Sequence, residues 1–183
     1  MKKGICIFVV FLAFSIALLI GCSNNTAAEK STITIAAAAS MKNCLDEEII
    51  PMFQNKYPDI KVKATYDSSG KLQTQIQEGA DVDVFLSAAM KQMNALDEKG
   101  LIIKDSIVQL LENKIVLIVP QNSTKDINKF EDILKTDRIA IGDPESVPAG
   151  QYAKEVLTNL SIWDQTLQKA SLGTNVTEVL NWV

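Results

Sequence analysis

Histidine is missing from all 183 residues. Its absence removes Ser-His-Asp and Cys-His nucleophile systems, every metal site built on imidazole, and with them most hydrolases. Cysteine is scarce, Cys6, Cys22 and Cys44 being the only three. Positive charge is the minority sign, with 18 Lys and Arg against 22 Asp and Glu and a net charge of −4. Nucleic-acid capture needs a basic face, so that partner class is excluded as well. A small anion is not excluded, because backbone dipoles at helix starts hold one without formal positive charge.

What is present begins with a leader. Lys2 and Lys3 precede an almost wholly apolar run from Ile5 to Ile20, and Gly21-Cys22 follows. A charged start, an apolar centre and a small-residue cleavage site read as a secretory signal over residues 1–21, and the run is short for a membrane-spanning helix. An uncleaved anchor helix is the competing reading. Leu19-Ile20-Gly21-Cys22 resembles the bacterial lipobox, which implies cleavage before Cys22 and acylation of its sulfur. Acyl chains there would tether the mature chain to a membrane, each buried CH₂ contributing ~0.8 kcal/mol, and place it outside the cytoplasm. Losing two lysines and no acids leaves 16 basic against 22 acidic residues, a net charge of −6. With Cys6 in the leader and Cys22 acylated, Cys44 is the one remaining thiol and no internal disulfide network forms. Ser23 to Lys30 are small and polar without apolar periodicity, so residues 22–30 read as a flexible tether.

From Ser31 onward, strand and helix patterns alternate. Ile33–Ala37 reads as a short buried strand, and Met41–Lys56 as a helix with Leu45, Ile49 and Phe53 four apart, kinked or interrupted at Pro51. Ile60–Tyr66 alternates Ile60, Val62, Ala64 and Tyr66 on one face, a strand signal. A helix at Lys71–Glu78 ended by Gly79, a strand at Val82–Leu86 and a helix at Met90–Lys99 ended by Gly100 follow. Ile115–Val119 is the most apolar strand candidate and runs into Pro120. After a polar loop at 121–128 come a helix near Phe130–Lys135, a strand at Arg138–Ile141, a helix from Gly150 to Leu160 and a last helical stretch at Asn175–Val183. The last complete helix pairs Ala153 with Val156, Leu157 and Leu160.

Repeated βα units predict an α/β fold with largely parallel sheets flanked by helices. The interruption near 120 divides the pattern into two lobes, 31–112 and 113–183, joined by a crossover near 110–120. Ligands in such architectures sit at strand C-terminal ends, facing the cleft.

Three strand-to-helix junctions carry small hydroxyl or glycine residues. Ala36-Ala37-Ala38-Ala39-Ser40-Met41 lets another group approach the backbone, with an N-cap as the competing role for Ser40. Tyr66-Asp67-Ser68-Ser69-Gly70-Lys71 exposes N–H and hydroxyl donors suited to an anion, with a tight polar turn as the alternative. It is not a P-loop, since no glycine stands five residues before Gly70 and a leucine follows Lys71. In Gly142-Asp143-Pro144-Glu145-Ser146-Val147-Pro148-Ala149-Gly150, two prolines fix the loop and Ala149-Gly150 open a helix without bulk; an ordinary connection is the alternative. Asp81 and Asp83 share one strand face, as paired carboxylates would, but solvated or capping roles compete. Cys44 has no histidine to activate it and reads as a small core residue. Lys71 reads as a solvated surface lysine rather than an anion-steering one.

These junction motifs, together with Ala80-Asp81-Val82-Asp83-Val84-Phe85-Leu86-Ser87-Ala88 and the continuation Gln151-Tyr152-Ala153, resemble the extracytoplasmic molybdate-binding protein family of ABC transporters, from about Ile33 to Val183. The resemblance implies a two-lobed fold like that of type II periplasmic binding proteins, with the second lobe incomplete. It implies a non-enzymatic monomer, without cofactor, that takes up molybdate or tungstate and delivers it to membrane permease subunits. By resemblance, Ser40 and Ser69 donate hydroxyl and N–H bonds, while Ala149 and Val176 donate backbone N–H bonds. Molybdenum is then held as its oxyanion, with no direct protein–metal bond. The family also uses a tyrosine hydroxyl beyond the matched region, and the last strand of the second lobe is expected to be missing. Binding of another oxyanion such as sulfate, and a truncated remnant that no longer supports transport, remain the alternatives.

Overall fold

The computed structural model describes residues 31–103 and 105–183, so the leader and tether expected over residues 1–30, Cys22 included, lie outside the described residues. Three strands form the first sheet. β1 (Ser31–Ala38) is central, β2 (Ile60–Asp67) and β3 (Val84–Leu86) flank it, and both pairings are parallel. In β2, Ile60, Val62, Ala64 and Tyr66 are half-buried while Lys61, Lys63 and Thr65 are exposed, the two-residue period of a one-sided sheet. β1 turns fully apolar toward its end, where Ala36, Ala37 and Ala38 are buried.

The stretch after β1 is helical but irregular. It opens as a 3₁₀ turn (Ala39–Met41), passes through α1 (Lys42–Cys44) and a π-turn (Leu45–Ile49), and closes as α2 (Ile50–Lys56). Pro51 lies in the first turn of α2. Lacking an N–H, it cannot make the i→i−4 bond that a regular helix requires, and the wider turn immediately ahead absorbs that loss. The extra residue breaks the expected apolar stripe, so Leu45 is buried and Phe53 half-buried but Ile49 is exposed. Cys44 is also exposed, correcting the core role expected for it. It stands about 100° around the helix from Leu45, off the buried stripe. Tyr66 on β2 donates a short hydrogen bond to Asp46, which also pairs with Lys42 at 2.6 Å, and this ties the helical stretch to the sheet.

α3 (Ser69–Gln77) follows β2, and α4 (Met90–Asp97) follows β3; each buries one leucine completely, Leu72 and Leu96. Gly79 and Gly100 close these helices at φ +95° and +68°, where a side chain would be strained. Asp83 accepts the Thr34 N–H at 2.7 Å, while its own N–H donates to Thr34 O at 2.9 Å. That is a strand-edge tie, and it accounts for one member of the Asp81/Asp83 pair.

The expected strand at Ile115–Val119 does not form: residues 107–120 join no ladder, and Leu110, Leu111, Val116, Ile118 and Val119 are exposed. An apolar run becomes a parallel strand only beside a neighbour that supplies the alternate hydrogen bonds. None of the described residues does so here.

The second sheet holds two parallel strands, β4 (Ile139–Gly142) and β5 (Ala170–Gly173), with Gly142 and Gly173 in register at their ends. Around it lie a 3₁₀ helix (Phe130–Lys135), α5 (Pro148–Asn159), α6 (Trp163–Leu167) and α7 (Val176–Asn181). Its core is Ile133, Ile139, Ile141, Leu157 and Ile162. Leu160, expected on the buried face of α5, is exposed because the helix has ended at Asn159. Among the described residues, no helix is long and apolar enough to cross a membrane.

Candidate functional site

A cavity of about 110 Å³ opens where the ends of the two sheets meet, and Ser40, Ser69, Ala149 and Val176 all line it. Each comes from a different junction. Ser40 follows β1, Ser69 begins α3 after β2, Ala149 is the second residue of α5 after β4, and Val176 begins α7 after β5. All four stand at carboxyl ends of parallel strands, where the first N–H groups of the next helical turn have no partner within that turn.

The first junction is built by size, its three buried alanines leaving the backbone accessible. Ser40 does not take the N-cap role that competed for it. The residue before the 3₁₀ turn is Ala38, with no side-chain cap, and the Ser40 side chain is exposed at the cavity. At the second junction Ser68 is the cap, its Oγ accepting the Lys71 N–H at 3.4 Å. Ser69 is thereby freed from capping. It is fully buried, and its Oγ accepts the Ala88 N–H at 2.9 Å, so its own proton is available in another direction.

Asp143 organises the third junction. Its carboxylate accepts the Glu145 N–H at 3.0 Å and the Ser146 hydroxyl at 3.2 Å, and its carbonyl accepts the Val147 N–H at 2.8 Å. Pro148, at the first position of α5, has no N–H to leave unsatisfied. The first turn-closing bond of α5 runs from Gln151 N–H to Val147 O at 3.0 Å, which leaves the Ala149 and Gly150 N–H groups ahead of the ladder. At the fourth junction Asn175 caps α7 by accepting the Glu178 N–H at 3.0 Å, while the Glu178 carboxylate accepts the Thr174 N–H and hydroxyl at 2.6 and 2.9 Å. The Thr174 backbone bond, then its hydroxyl, and then the charge of Lys71 hold the Glu178 carboxyl below its ordinary pKa.

The lining contains one acid, Asp67, and one base, Lys114. Asp67 accepts the Ser68 N–H at 2.7 Å and lies 3.5 Å from Lys71, which makes that lysine an ion-pair partner on the surface. Apart from these two side chains the lining is neutral, with the donors at the strand ends set among apolar residues such as Ile115, Val147 and Val176. Two contacts cross between the halves beside it: Gly70 N–H donates to Ser146 O at 3.0 Å, and Gln92 Nε2 to Gln151 Oε1 at 3.4 Å.

Asn113, Lys114, Ile115 and Tyr152 also line the cavity. Tyr152 lies in a motif singled out for its loop, whereas nothing local in the sequence marks Asn113 or Lys114, and Ile115 is marked only as the start of an expected strand. They reach the site only through the path of the crossover run.

A model of the bacterial extracellular solute-binding protein family matches residues 33–183. The chain belongs to that family. YvgL of Bacillus subtilis, named provisionally as an ABC transporter substrate-binding lipoprotein, is 41% identical over all of this chain and 71% of its own length. The molybdate-binding protein ModA of Haemophilus influenzae is 39% identical over 88% of this chain and 65% of its own. Among solved structures, a substrate-binding domain of Clostridium difficile, assigned provisionally to a molybdenum ABC transporter, is 39% identical with a TM-score of 0.58 over 84% of this chain and 66% of that one. This solute-binding protein thus spans about two thirds of the length of these relatives. They are named as binding proteins rather than enzymes.

Proposed function

We propose that this solute-binding protein captures a fully deprotonated tetrahedral oxyanion, molybdate or tungstate, outside the cytoplasm and presents it to ABC permease subunits while tethered through lipid on Cys22. The observation that carries the proposal is the convergence of Ser40, Ser69, Ala149 and Val176, from four separate strand ends, on one small cavity. An anion with four oxygens and no proton only accepts hydrogen bonds, so a pocket of N–H and O–H donors matches it. The starts of α3 and α5 add positive partial charge, up to about half an electron for a full-length helix. Each bond from a neutral donor to a charged acceptor is worth ~1.5–3 kcal/mol, and several together offset desolvation. A protonated anion brings a hydrogen that the backbone N–H groups of Ala149 and Val176 cannot accept, and is disfavoured at those positions for that reason. Support also comes from the names of the relatives, two of which refer to molybdate or molybdenum.

Titration calorimetry of the chain with molybdate, tungstate, sulfate and phosphate tests the reading. Molybdate and tungstate are expected to bind alike and above the other two; preferential binding of sulfate would replace the assignment. Ser69→Ala is expected to weaken molybdate binding by ~1–3 kcal/mol through loss of one charge-assisted bond. Unchanged affinity would remove Ser69 from the site. For the anchor, Cys22→Ser is expected to abolish incorporation of labelled fatty acid and shift the protein out of the membrane fraction. Retention of label in that variant would overturn acylation at Cys22.

A further inference from the structure

The Ser69 hydroxyl is held from outside its own helix. Its oxygen accepts the Ala88 N–H at 2.9 Å, and the carbonyl of the same alanine accepts Asn113 Nδ2–H at 2.6 Å. The turn containing Ala88 is tightened internally by Ser87, whose Oγ donates to Ala89 O at 2.7 Å and accepts the Ala89 N–H at 3.2 Å. Asn113 belongs to the unpaired run 107–120, so one residue of the crossover grips the turn that orients a buried hydroxyl of the cavity.

We infer that Asn113 is a positioning residue which, through Ala88, commits the Ser69 hydroxyl to donating into the cavity and so sharpens the choice of unprotonated over protonated oxyanions. A hydroxyl has one proton and two lone pairs. With an amide N–H aimed at its oxygen, Ser69 cannot turn its proton that way. Ser69 is fully buried, so accepting a bond from a protonated ligand would strand its own hydrogen without a partner. Donation to a bare anionic oxygen leaves nothing stranded. Release of Asn113 lets the 87–89 turn relax, its N–H drift from Ser69 Oγ, and the hydroxyl accept as well as donate.

This inference rests on the oxyanion reading above. The test uses Asn113→Leu and Asn113→Ala in the full chain, substitutions that remove the donor without adding charge. In the ligand-free protein, amide hydrogen exchange at Ala88 is expected to quicken about tenfold while Leu72 and the thermal midpoint stay unchanged. In calorimetry at neutral pH, molybdate affinity is expected to fall about three- to tenfold while phosphate affinity does not fall, so that their ratio narrows. Unchanged exchange at Ala88 overturns the proposal. So does a parallel fall in both affinities at constant ratio, the mark of a merely structural contact. Failure of the oxyanion reading shows separately, as no binding of molybdate by the unaltered chain; the selectivity role of Asn113 then falls with it.

Discussion

Gly150→Ala is expected to lower the stability of the fold by ~3 kcal/mol and to weaken anion binding more than tenfold. A Cβ on Gly150 would lie 1.9 Å from Gly142 O, 2.4 Å from Gly142 C and 3.0 Å from Asp143 C. All three are backbone atoms at the end of β4, so no rotamer change relieves the overlap. The start of α5 must move off the sheet instead. That movement loosens Leu157 from Ile139 and Ile141 in the second core and carries the Ala149 N–H away from the cavity. Thermal unfolding and calorimetry read the two effects together; in a fold of this size ~3 kcal/mol corresponds to a midpoint lower by about 10 °C. A midpoint within a degree or two of the unaltered chain would mean that β4 and α5 are not packed this closely.

The same close packing explains how a loop of prolines and glycines could be picked out from sequence. Glycine at 150 and proline at 148 answer local steric demands, and such demands leave residue-type signatures. Gly79 and Gly100 were legible for a similar reason, since helix ends reached through positive φ favour glycine. The alternation along β2 was legible because a sheet with one wet face imposes a two-residue period. Ile115–Val119 misled because hydrophobicity marks a segment able to form a buried strand, whereas its hydrogen-bond partners are set by distant chain. α6 and β5 escaped notice: Ala170–Gly173 is four residues long with a single bulky apolar side chain, too little to register as periodic.

The site divides along the same line. Ser40, Ser69 and Ala149 stood out as small residues at strand-to-helix junctions, but residue type alone left capping and turn roles open, and the family resemblance was needed to add Val176 and group them. Ser68 shows why local reasoning stops short. Of two adjacent serines, the first caps α3 and the second meets Ala88, and that assignment depends on where the turn at 87–89 lies.

Gly70→Ala should separate binding from stability. A Cβ there would stand 2.5 Å from Ser146 O and 2.9 Å from its Cα, and Ser146 belongs to the loop of the other half. The overlap therefore arises only where the halves meet, unlike that at Gly150, which lies within one half. Gly70 is in the first turn of α3 at negative φ, so alanine raises helix propensity by up to ~1 kcal/mol and the ligand-free fold is expected to hold or gain stability. Relief comes from holding the halves slightly apart, which breaks the Gly70 N–H bond to Ser146 O and strains the neighbouring Gln92–Gln151 contact. Ser69 and Ala149 then no longer reach one guest together. If bringing the two halves together becomes ~2–3 kcal/mol harder, affinity is expected to fall about 30- to 150-fold, provided that the guest is held only with Ser69 and Ala149 brought together. Calorimetry with molybdate, paired with thermal unfolding without it, makes the comparison. Full affinity in Gly70→Ala would show that the guest does not need the two halves in contact at Gly70 and Ser146.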